Sequence, residues 1–268
     1  FDVNTMPHQL IRQANGNFEI KSIPIADQSL DSNLPQWEDA QVGTTNINGT
    51  NPQPSFVGKT INNMLFWRNR LVMLSDENVI MSRPGDFFNF WYKSAIAYTD
   101  PDPIDISCSS EYPAIVYSGI QTNAGLVLFT ENQQFLVTTD SDILSTRTAK
   151  ISSLSAYNFN KQTNPIPLGT TIAFLDNAGK YNRLWEMSTV FREGEPIVVE
   201  QSKIVSNLID TSLDLTAISR ENQVLFLSKQ GSNKLFVFQY QTSGDKRIQQ
   251  AWVTWELHGE IQHMAMFD

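Results

Sequence analysis

A short apolar hairpin recurs along this chain and limits its fold more than any other sequence feature. In each copy, a nearly continuous apolar run is joined to a second one by a turn rich in Asn, Asp or Gly, residues that tolerate positive φ or bond their own backbone. The paired runs are residues 71–74 with 79–81, 126–129 with 135–137, 172–175 with 184–187, and 224–227 with 235–240. Helical periodicity is scarce between them, so we predict an all-β fold of antiparallel strands.

The hairpins are evenly spaced along the chain. They start at residues 71, 126, 172 and 224, and a repeat of about fifty residues is typical of the blades of a β-propeller. The inner strands of a blade are covered on both faces, which accounts for the weak apolar–polar alternation of these runs. We therefore predict a β-propeller-like array of antiparallel blades with four recognisable hairpin repeats. A β-sandwich or an irregular barrel with evenly spaced hairpins is the alternative.

The first sixty residues have a different character. The segment HQLIRQANGNFEIKSIPI predicts a hairpin about Asn15-Gly16. Residues 27–60 are then polar and rich in Pro and Gly, as expected for a long surface connector. We predict an N-terminal hairpin and connector over residues 1–60 and a propeller-like domain over residues 61–268.

Charge and cysteine content exclude several classes of protein. The chain has 28 acidic and 19 Lys or Arg residues, a net charge of −9, which argues against a domain that binds nucleic acid through its phosphates. It has no apolar run near twenty residues, so no membrane-spanning helix is expected. Its single cysteine, Cys108, is far in sequence from His8, His258 and His263. It is expected to be a buried small hydrophobe in a protein that matures in a reducing compartment.

Three carboxylates form the one candidate metal site in the sequence. The segment DPDPID brings Asp100, Asp102 and Asp105 close together, and such a group can hold calcium. It lacks the glycine of an EF-hand loop, and its two prolines stiffen it into an extended connector. We expect a solvated loop rather than a metal site, and no cofactor.

Three arginines around the first hairpin are a candidate clamp for an acidic sugar. Arg68, Arg70 and Arg83 bracket this hairpin, and the stretch SRPGDFFNFW partly matches the Asp-box of sialidase propellers. That box requires an aspartate two residues after its serine, where this chain has Pro84. Phosphate-binding loops, nucleophile elbows and the WD and kelch signatures are also missing. We predict that the chain is not an enzyme.

The same stretch, Ser82 to Trp91, raises a choice between packing and binding. Dense aromatic residues can form a stacking platform, but a nucleic-acid platform interleaves its rings with Lys and Arg. Strand alternation would place Phe88 and Phe90 on one face and Phe87 and Trp91 on the other. We therefore expect a strand covered on both faces.

Three segments of the sequence resemble a known family. The segments MPHQLIRQANGNF, NPQPSFVGKTINNMLFWRNRLVMLSDENVIMSRPGDFFNFW and QAWVTWEL are similar to tail tubular protein B, the tail nozzle protein of short-tailed bacteriophages (podoviruses). The similarity is strongest over residues 6–18 and 52–91. The family motif falls on Pro54, Phe56, Gly58, Asn69, Arg70, Asp76, Glu77, Asn78, Ser82, Gly85, Asp86, Phe87, Phe90 and Trp91.

The resemblance implies a structural role in the virion, assembled in the host cytoplasm. Proteins of this family are much longer, so this chain would be an internal piece. They form a hexameric ring at the distal end of the tail, contain a propeller, dock on a ring of gatekeeper protein, help to seat the tail fibres, and line the path of the ejected DNA. An acidic wall fits a conduit that must not retain DNA. The alternative is a carbohydrate- or receptor-binding propeller that contacts a glycan on the host surface.

Overall fold

The computed structural model describes residues 2–27, 34–44, 49–188, 196–210, 212–243 and 246–267. These residues form an N-terminal hairpin and four four-stranded antiparallel sheets, which we number I to IV. Within them, the one helical element is a 3-10 turn at Lys203–Val205. The predicted all-β class is therefore confirmed. No helix in this part of the chain is long and apolar enough to cross a bilayer.

Each sheet is a meander in which every strand pairs with its neighbours in sequence. The hairpin contains β1 (His8–Arg12) and β2 (Phe18–Ser22). Sheet I contains β3 (Ile61–Trp67), β4 (Arg70–Ser75), β5 (Asn78–Met81) and β6 (Ile104–Ser107). Sheet II contains β7 (Val116–Gln121), β8 (Leu126–Thr130), β9 (Gln134–Thr139) and β10 (Ala149–Ser155). Sheet III contains β11 (Ile166–Pro167), β12 (Thr171–Ala178), β13 (Tyr181–Ser188) and β14 (Val198–Glu200). Sheet IV contains β15 (Leu215–Ser219), β16 (Val224–Ser228), β17 (Ser232–Ser243) and β18 (Lys246–Ile261).

The predicted hairpins are the central strand pairs of these sheets. They correspond to β4–β5, β8–β9, β12–β13 and β16–β17. The N-terminal hairpin is also confirmed, with Gly16 at φ +86° in its turn. In the predicted connector, an isolated bridge pairs Ile25 with Trp37, while residues 28–33 and 45–48 lie outside the described part of the chain.

The chain divides into two compact units. Unit 1 comprises residues 1–115 and 138–151, and unit 2 comprises residues 116–137 and 152–268. The core of unit 1 joins Met6, Trp37 and Phe56 to Met73 and Ile80 of sheet I. Residues on both sides of position 60 thus share this core, and the predicted division at that position stays a prediction.

Unit 2 shows how a sheet becomes apolar on both faces. In β12, Ile172 and Phe174 pack in a cluster with Phe129 of sheet II. Between them, Ala173 and Leu175 point to the opposite face and pack in a cluster with residues of sheet IV. Both faces of sheet III are therefore covered by neighbouring sheets, which explains its near-continuous apolar sequence.

Candidate functional site

Arg70, at the start of β4, is the centre of a buried polar site. Its side chain contains a permanent cation, yet the residue is only 2% exposed. Nη1 donates to the carbonyl oxygens of Ser82 at 2.7 Å and Asp102 at 2.8 Å. Nη2 donates to those of Leu144 at 3.1 Å and Asp100 at 3.3 Å. We call Arg70 and these carbonyl groups the Arg70 node. It joins the strand to three separate segments of unit 1.

The environment of Arg70 explains why its contacts are main-chain carbonyls. Burial, with a smaller effect from the nearby Arg83, lowers the pKa of Arg70 to about 10. Asp102 opposes both effects through its negative charge. Carbonyl dipoles take the place of bulk solvent around the buried cation, since a buried charge without hydrogen bonds would be strongly destabilising. The guanidinium uses its hydrogen bonds within the fold and is not available for the candidate sugar clamp.

The other arginines of that clamp lie in different settings. Arg68 is exposed, with its guanidinium 5.6 Å from the ring centre of Trp67. Arg83 donates from Nε to the carbonyl of Pro101 at 3.3 Å.

The motif residues Asn69, Ser82 and Gly85 close the same end of the β4–β5 hairpin. Asn69 adopts φ +59°, and its carbonyl accepts the Gly85 N–H at 2.8 Å. Gly85 adopts φ +73°, a conformation that favours glycine. The Ser82 hydroxyl accepts the N–H of Leu71 at 3.0 Å and donates to the carbonyl of Arg83 at 3.0 Å. This part of the motif therefore builds the turn that faces the Arg70 node.

The stretch from Ser82 to Trp91 is not the strand that alternation predicted. It forms two consecutive turns with a single bridge between Arg83 and Asp86. The Asn89 amide group donates to the Asp86 carboxylate at 2.9 Å and stabilises the second turn. Pro84 and Gly85 are a turn signal, and here that signal prevailed over the aromatic content.

The rings of this stretch are packing groups all the same. Phe90 is 3% exposed and meets Phe56 edge to face at 5.2 Å between ring centres. Phe88 meets Trp37 at 5.1 Å, and Phe87 meets Phe66 at 5.1 Å. Because Trp91 is also buried, at 4% exposure, these rings do not form an open stacking platform.

Two further motif segments are turns. Pro54 accepts the N–H of Val57 at 3.0 Å, and the turn ends at Gly58, where φ is +77°. At the opposite end of the β4–β5 hairpin from Arg70, Asp76 adopts φ +47° and forms an ion pair with Lys59 at 3.2 Å. Both ion-pair side chains are well exposed, so the contribution of this pair to stability is small. Glu77 and Asn78 complete that turn and begin β5.

The candidate calcium ligands are separated by their hydrogen bonds. Asp102 is fully buried and accepts the N–H groups of Thr99 at 2.6 Å and Lys93 at 3.1 Å. Asp105 accepts the N–H of Ser55 at 2.8 Å, and Asp100 is exposed. Within the described residues, no group of three or more His, Cys, Asp or Glu side chains could hold a metal ion.

Cys108 lies next to the first hairpin in a buried position, with 6% exposure. Its N–H donates to the carbonyl of Glu77 at 2.8 Å. Burial, with a smaller effect from the Glu77 carboxylate, raises the pKa of the Cys108 thiol to about 12. Because the thiolate is the nucleophilic form of cysteine, the structure matches the predicted inert residue.

Unit 2 contains a second arginine site that the sequence analysis missed. Arg247 of β18 forms a bidentate ion pair with Glu186 of β13, with 2.8 Å between Nη2 and Oε1. The carboxylate also accepts the Thr171 hydroxyl at 2.6 Å and the Gln201 amide at 2.7 Å. The guanidinium lies 4.7 Å from the ring centre of Tyr240. We call this group the Arg247 node. Its two charges are 61 positions apart in the chain, so no local motif indicated it.

Comparison with known proteins identifies the family of this chain. A sequence profile of the bacteriophage nozzle protein family matches residues 1–267. The tail tubular protein gp12 of Escherichia phage T7 is 28% identical over 267 residues, which cover 97% of this chain and 31% of that protein. The chain thus spans less than a third of the length of this curated relative. The match over nearly every residue confirms the family resemblance: the chain belongs to the bacteriophage nozzle protein family.

Proposed function

We propose that this chain is a structural segment of the tail nozzle in a phage virion and has no catalytic role. The observation that carries this proposal is the family match over residues 1–267. The buried polar groups support it, because both arginine nodes use their hydrogen bonds to join strands and loops. The T7 relative is a tail tubular protein by name.

We further propose that sheets I to IV are blades of a β-propeller. The support is their common design, since each is a four-stranded antiparallel meander. In unit 2, sheet III is packed between sheets II and IV through separate apolar clusters. Propeller blades are covered on both faces in this way. In this proposal, residues 1–60 are the hairpin and connector that precede the propeller.

The proposed partners follow from a place in the tail. The complete polypeptide would form a hexameric ring, dock on the gatekeeper ring and contact the tail fibres. DNA would pass through the ring without specific binding, because a net charge of −9 offers few cations to its phosphates. Rings of this kind use heterologous contacts that close only when the rotation between subunits is correct.

The direct test is assembly of the complete polypeptide. We expect the purified full-length protein to form symmetric rings by negative-stain microscopy, and antibodies against residues 61–268 to label the distal tail of the virion. Label on the capsid alone would refute the tail proposal. If the full-length protein stays monomeric when it is mixed with purified gatekeeper ring, the proposed hexameric ring is refuted.

A second test concerns the DNA path. We expect no shift of duplex or single-stranded DNA in a gel titration at physiological salt, because a net charge of −9 is opposite in sign to the basic surface that nucleic-acid binding requires. Micromolar affinity that weakens steeply as salt increases would instead reveal a local basic groove and would refute the passive conduit.

A further inference from the structure

A small polar pocket lies on the face of sheet I that holds the core of unit 1. It has a volume of about 280 Å³ and is lined by residues that include Ile80 of β5 and the buried Phe90, both members of that core. Among the described residues that line it, Asp105 has the one charged side chain. We call this cavity the Asp105 pocket.

The register of β5 and β6 brings three polar side chains to the pocket. Asn78 of β5 is the direct partner of Ser107 of β6, and the Cβ atoms of such partners are about 5 Å apart. Asp105 lies two residues before Ser107 on the same face of the strand, about 7 Å away. Because all three line the pocket, one atom bound between them can reach an oxygen atom of each at hydrogen-bond distance.

These side chains have acceptor capacity that the fold does not use. The Ser55 N–H donates to Oδ2 of Asp105 at 2.8 Å, whereas a carboxylate has about four acceptor sites. Neither the side-chain amide of Asn78 nor the hydroxyl of Ser107 is bonded to another described residue. A ligand with several N–H donors would therefore find oxygen acceptors on two neighbouring strands.

The charge of the pocket disfavours anions and favours a cation. No Lys, Arg or His is among its described lining residues. Lys59 affects the pKa of Asp105 through its charge, but it is paired with Asp76 at 3.2 Å. Burial raises the pKa of Asp105, because it penalises the ionised carboxylate. A cation beside that carboxylate would offset the penalty.

The number of acceptors distinguishes an ammonium group from a metal ion. Calcium takes about six to eight oxygen ligands, and the described residues contain no group of three or more His, Cys, Asp or Glu that could hold a metal. A primary ammonium has three donors, which matches the three polar side chains of the pocket. Pro54, Pro103 and the ring of Tyr92 add apolar surface for a short aliphatic chain, and the volume is at the small end of ligand sites.

We propose that the Asp105 pocket binds a primary ammonium group on a short aliphatic chain. The ammonium donates to the Asp105 carboxylate, the side-chain oxygen of Asn78 and the hydroxyl of Ser107. A free diamine and a lysine side chain of a partner protein both provide this group. The proposal goes beyond the structural role in the tail and does not depend on ring assembly.

Ligand-observed NMR titration of the complete polypeptide tests this proposal, since it detects weak binding of small molecules. The probes are putrescine for a free diamine, Nα-acetyl-lysine methylamide for a protein lysine, and butanediol as the uncharged control. Tighter binding of putrescine would assign the pocket to free amines, and tighter binding of the lysine derivative would assign it to a partner's side chain. Either result supports the proposal, whereas no binding of either amine would overturn it.

Variants of the same polypeptide locate the binding. We expect Asp105→Asn to weaken amine binding at least about tenfold, because a charge-assisted hydrogen bond is lost. Ser107→Ala, at an exposed position, should weaken it about threefold and carries the test if Asp105→Asn does not fold. Asp100→Asn removes the same charge outside the pocket and should leave the affinity unchanged.

Two further results would overturn the proposal. Equal weakening by Asp105→Asn and Asp100→Asn would show only a general attraction of amines to an acidic surface. Binding of butanediol as tight as that of putrescine would show a site for neutral polar molecules. Denaturant midpoints of all variants establish that any loss of binding occurs in folded protein.

Discussion

The two arginine nodes of this protein provide different kinds of hydrogen-bond acceptor for a guanidinium group. Arg70 in unit 1 is 2% exposed and donates to main-chain carbonyls. Arg247 in unit 2 has a side chain that is 18% exposed, and it donates to the carboxylate of Glu186. The first is a cation solvated by the backbone, and the second is an ion pair supported by a neighbouring ring.

The difference shows what each node fixes. Carbonyl groups cannot move without the chain, so Arg70 determines the path of the segments that reach it, including Asp102 and Leu144. Glu186 and Arg247 are both side chains, so their pairing joins β13 to β18 but leaves the course of each strand to its own ladder. An ion pair can be replaced by apolar side chains, whereas a backbone-solvated arginine has no simple substitute.

The largest effect is expected at Arg70. Arg70→Met leaves buried carbonyl groups without donors, and each such group is destabilising by about 1–3 kcal/mol. We expect the free energy of unfolding, from denaturant titration, to fall by about 4–6 kcal/mol. Arg70→Lys is the conservative control and should lose less, because it keeps the charge and part of the bonding. A loss below about 2 kcal/mol in Arg70→Met would mean that water replaces the guanidinium.

Phe90→Ala tests whether the apolar cluster beside Arg70 contributes as much to the free energy of unfolding as Arg70 does. Emptying a buried aromatic site lowers the free energy of unfolding by about 3–5 kcal/mol, and Phe90 is 3% exposed. A glycan-array measurement on both proteins accompanies the denaturant midpoint. An unchanged midpoint together with a lost glycan signal would show that the stretch from Ser82 to Trp91 is a binding platform and not a packing element.

A smaller loss is expected at the partly exposed ion pair. Arg247→Met should lower the free energy of unfolding by about 1–3 kcal/mol, because Glu186 keeps its bonds from Thr171 and Gln201. Adding Glu186→Leu should recover part of that loss, since the double variant removes both charges. A double variant that is less stable than Arg247→Met alone would show that the Glu186 carboxylate stabilises the fold even without Arg247.

Two variants at Asp102 show how much each of its hydrogen bonds contributes at the Arg70 node. Oδ1 accepts the N–H of Lys93 and Oδ2 accepts that of Thr99. Asp102→Asn keeps an oxygen for one of these groups and places an amide NH2 against the other, so the free energy of unfolding should fall by about 1–3 kcal/mol. Asp102→Ala leaves both N–H groups unpaired and should be worse by about 1–3 kcal/mol. Equal losses in the two variants would mean that attraction between Asp102 and Arg70 dominates.

The smallest effect on stability is expected at Asp105. Its carboxylate is partly buried and accepts a hydrogen bond from the Ser55 N–H rather than from an arginine side chain. Burial raises the pKa of Asp105, while the hydrogen bonds from Ser55 and the charge of Lys59 lower it. The folded protein therefore holds this proton more tightly than the unfolded chain, and stability declines as pH rises through that range. Asp105→Asn should gain stability relative to wild type as pH rises above the ordinary pKa of an aspartate, about 4. Asp100→Asn, at an exposed position, is the control. A relative loss over the same range would contradict the sign.

Much of the fold could be predicted because its central strands are recognisable from local sequence. Val72 to Leu74 and Leu126 to Phe129 are fully buried apolar runs beside turns rich in polar residues. The outer strands escaped prediction because they are short or half exposed, as in Ile166–Pro167 and Val198–Glu200. Their positions depend on pairing with an inner strand rather than on their own composition.

The site was less predictable because its chemistry is not local. An arginine that begins a fully buried strand, as in RLVML, was a signal for the Arg70 node, but the sequence does not show that a carbonyl at Leu144 reaches it. Pro84-Gly85 is a turn signal and the structure follows it, but the prediction gave more weight to the neighbouring aromatic residues. For Glu186 and Arg247, only the packing of one sheet on another brings the charges together.

The sequential pairing of strands has a consequence for how the protein is made. Each meander pairs only strands that are neighbours in the chain, so a sheet can form on the ribosome as soon as its fourth strand has emerged. Such local contacts favour rapid folding, and domains generally fold as units during synthesis. The apolar face of each finished sheet would then be exposed only until the next meander is translated. Synthesis from the N-terminus onward would in this way limit the aggregation-prone apolar surface that is exposed at any moment to about one sheet face.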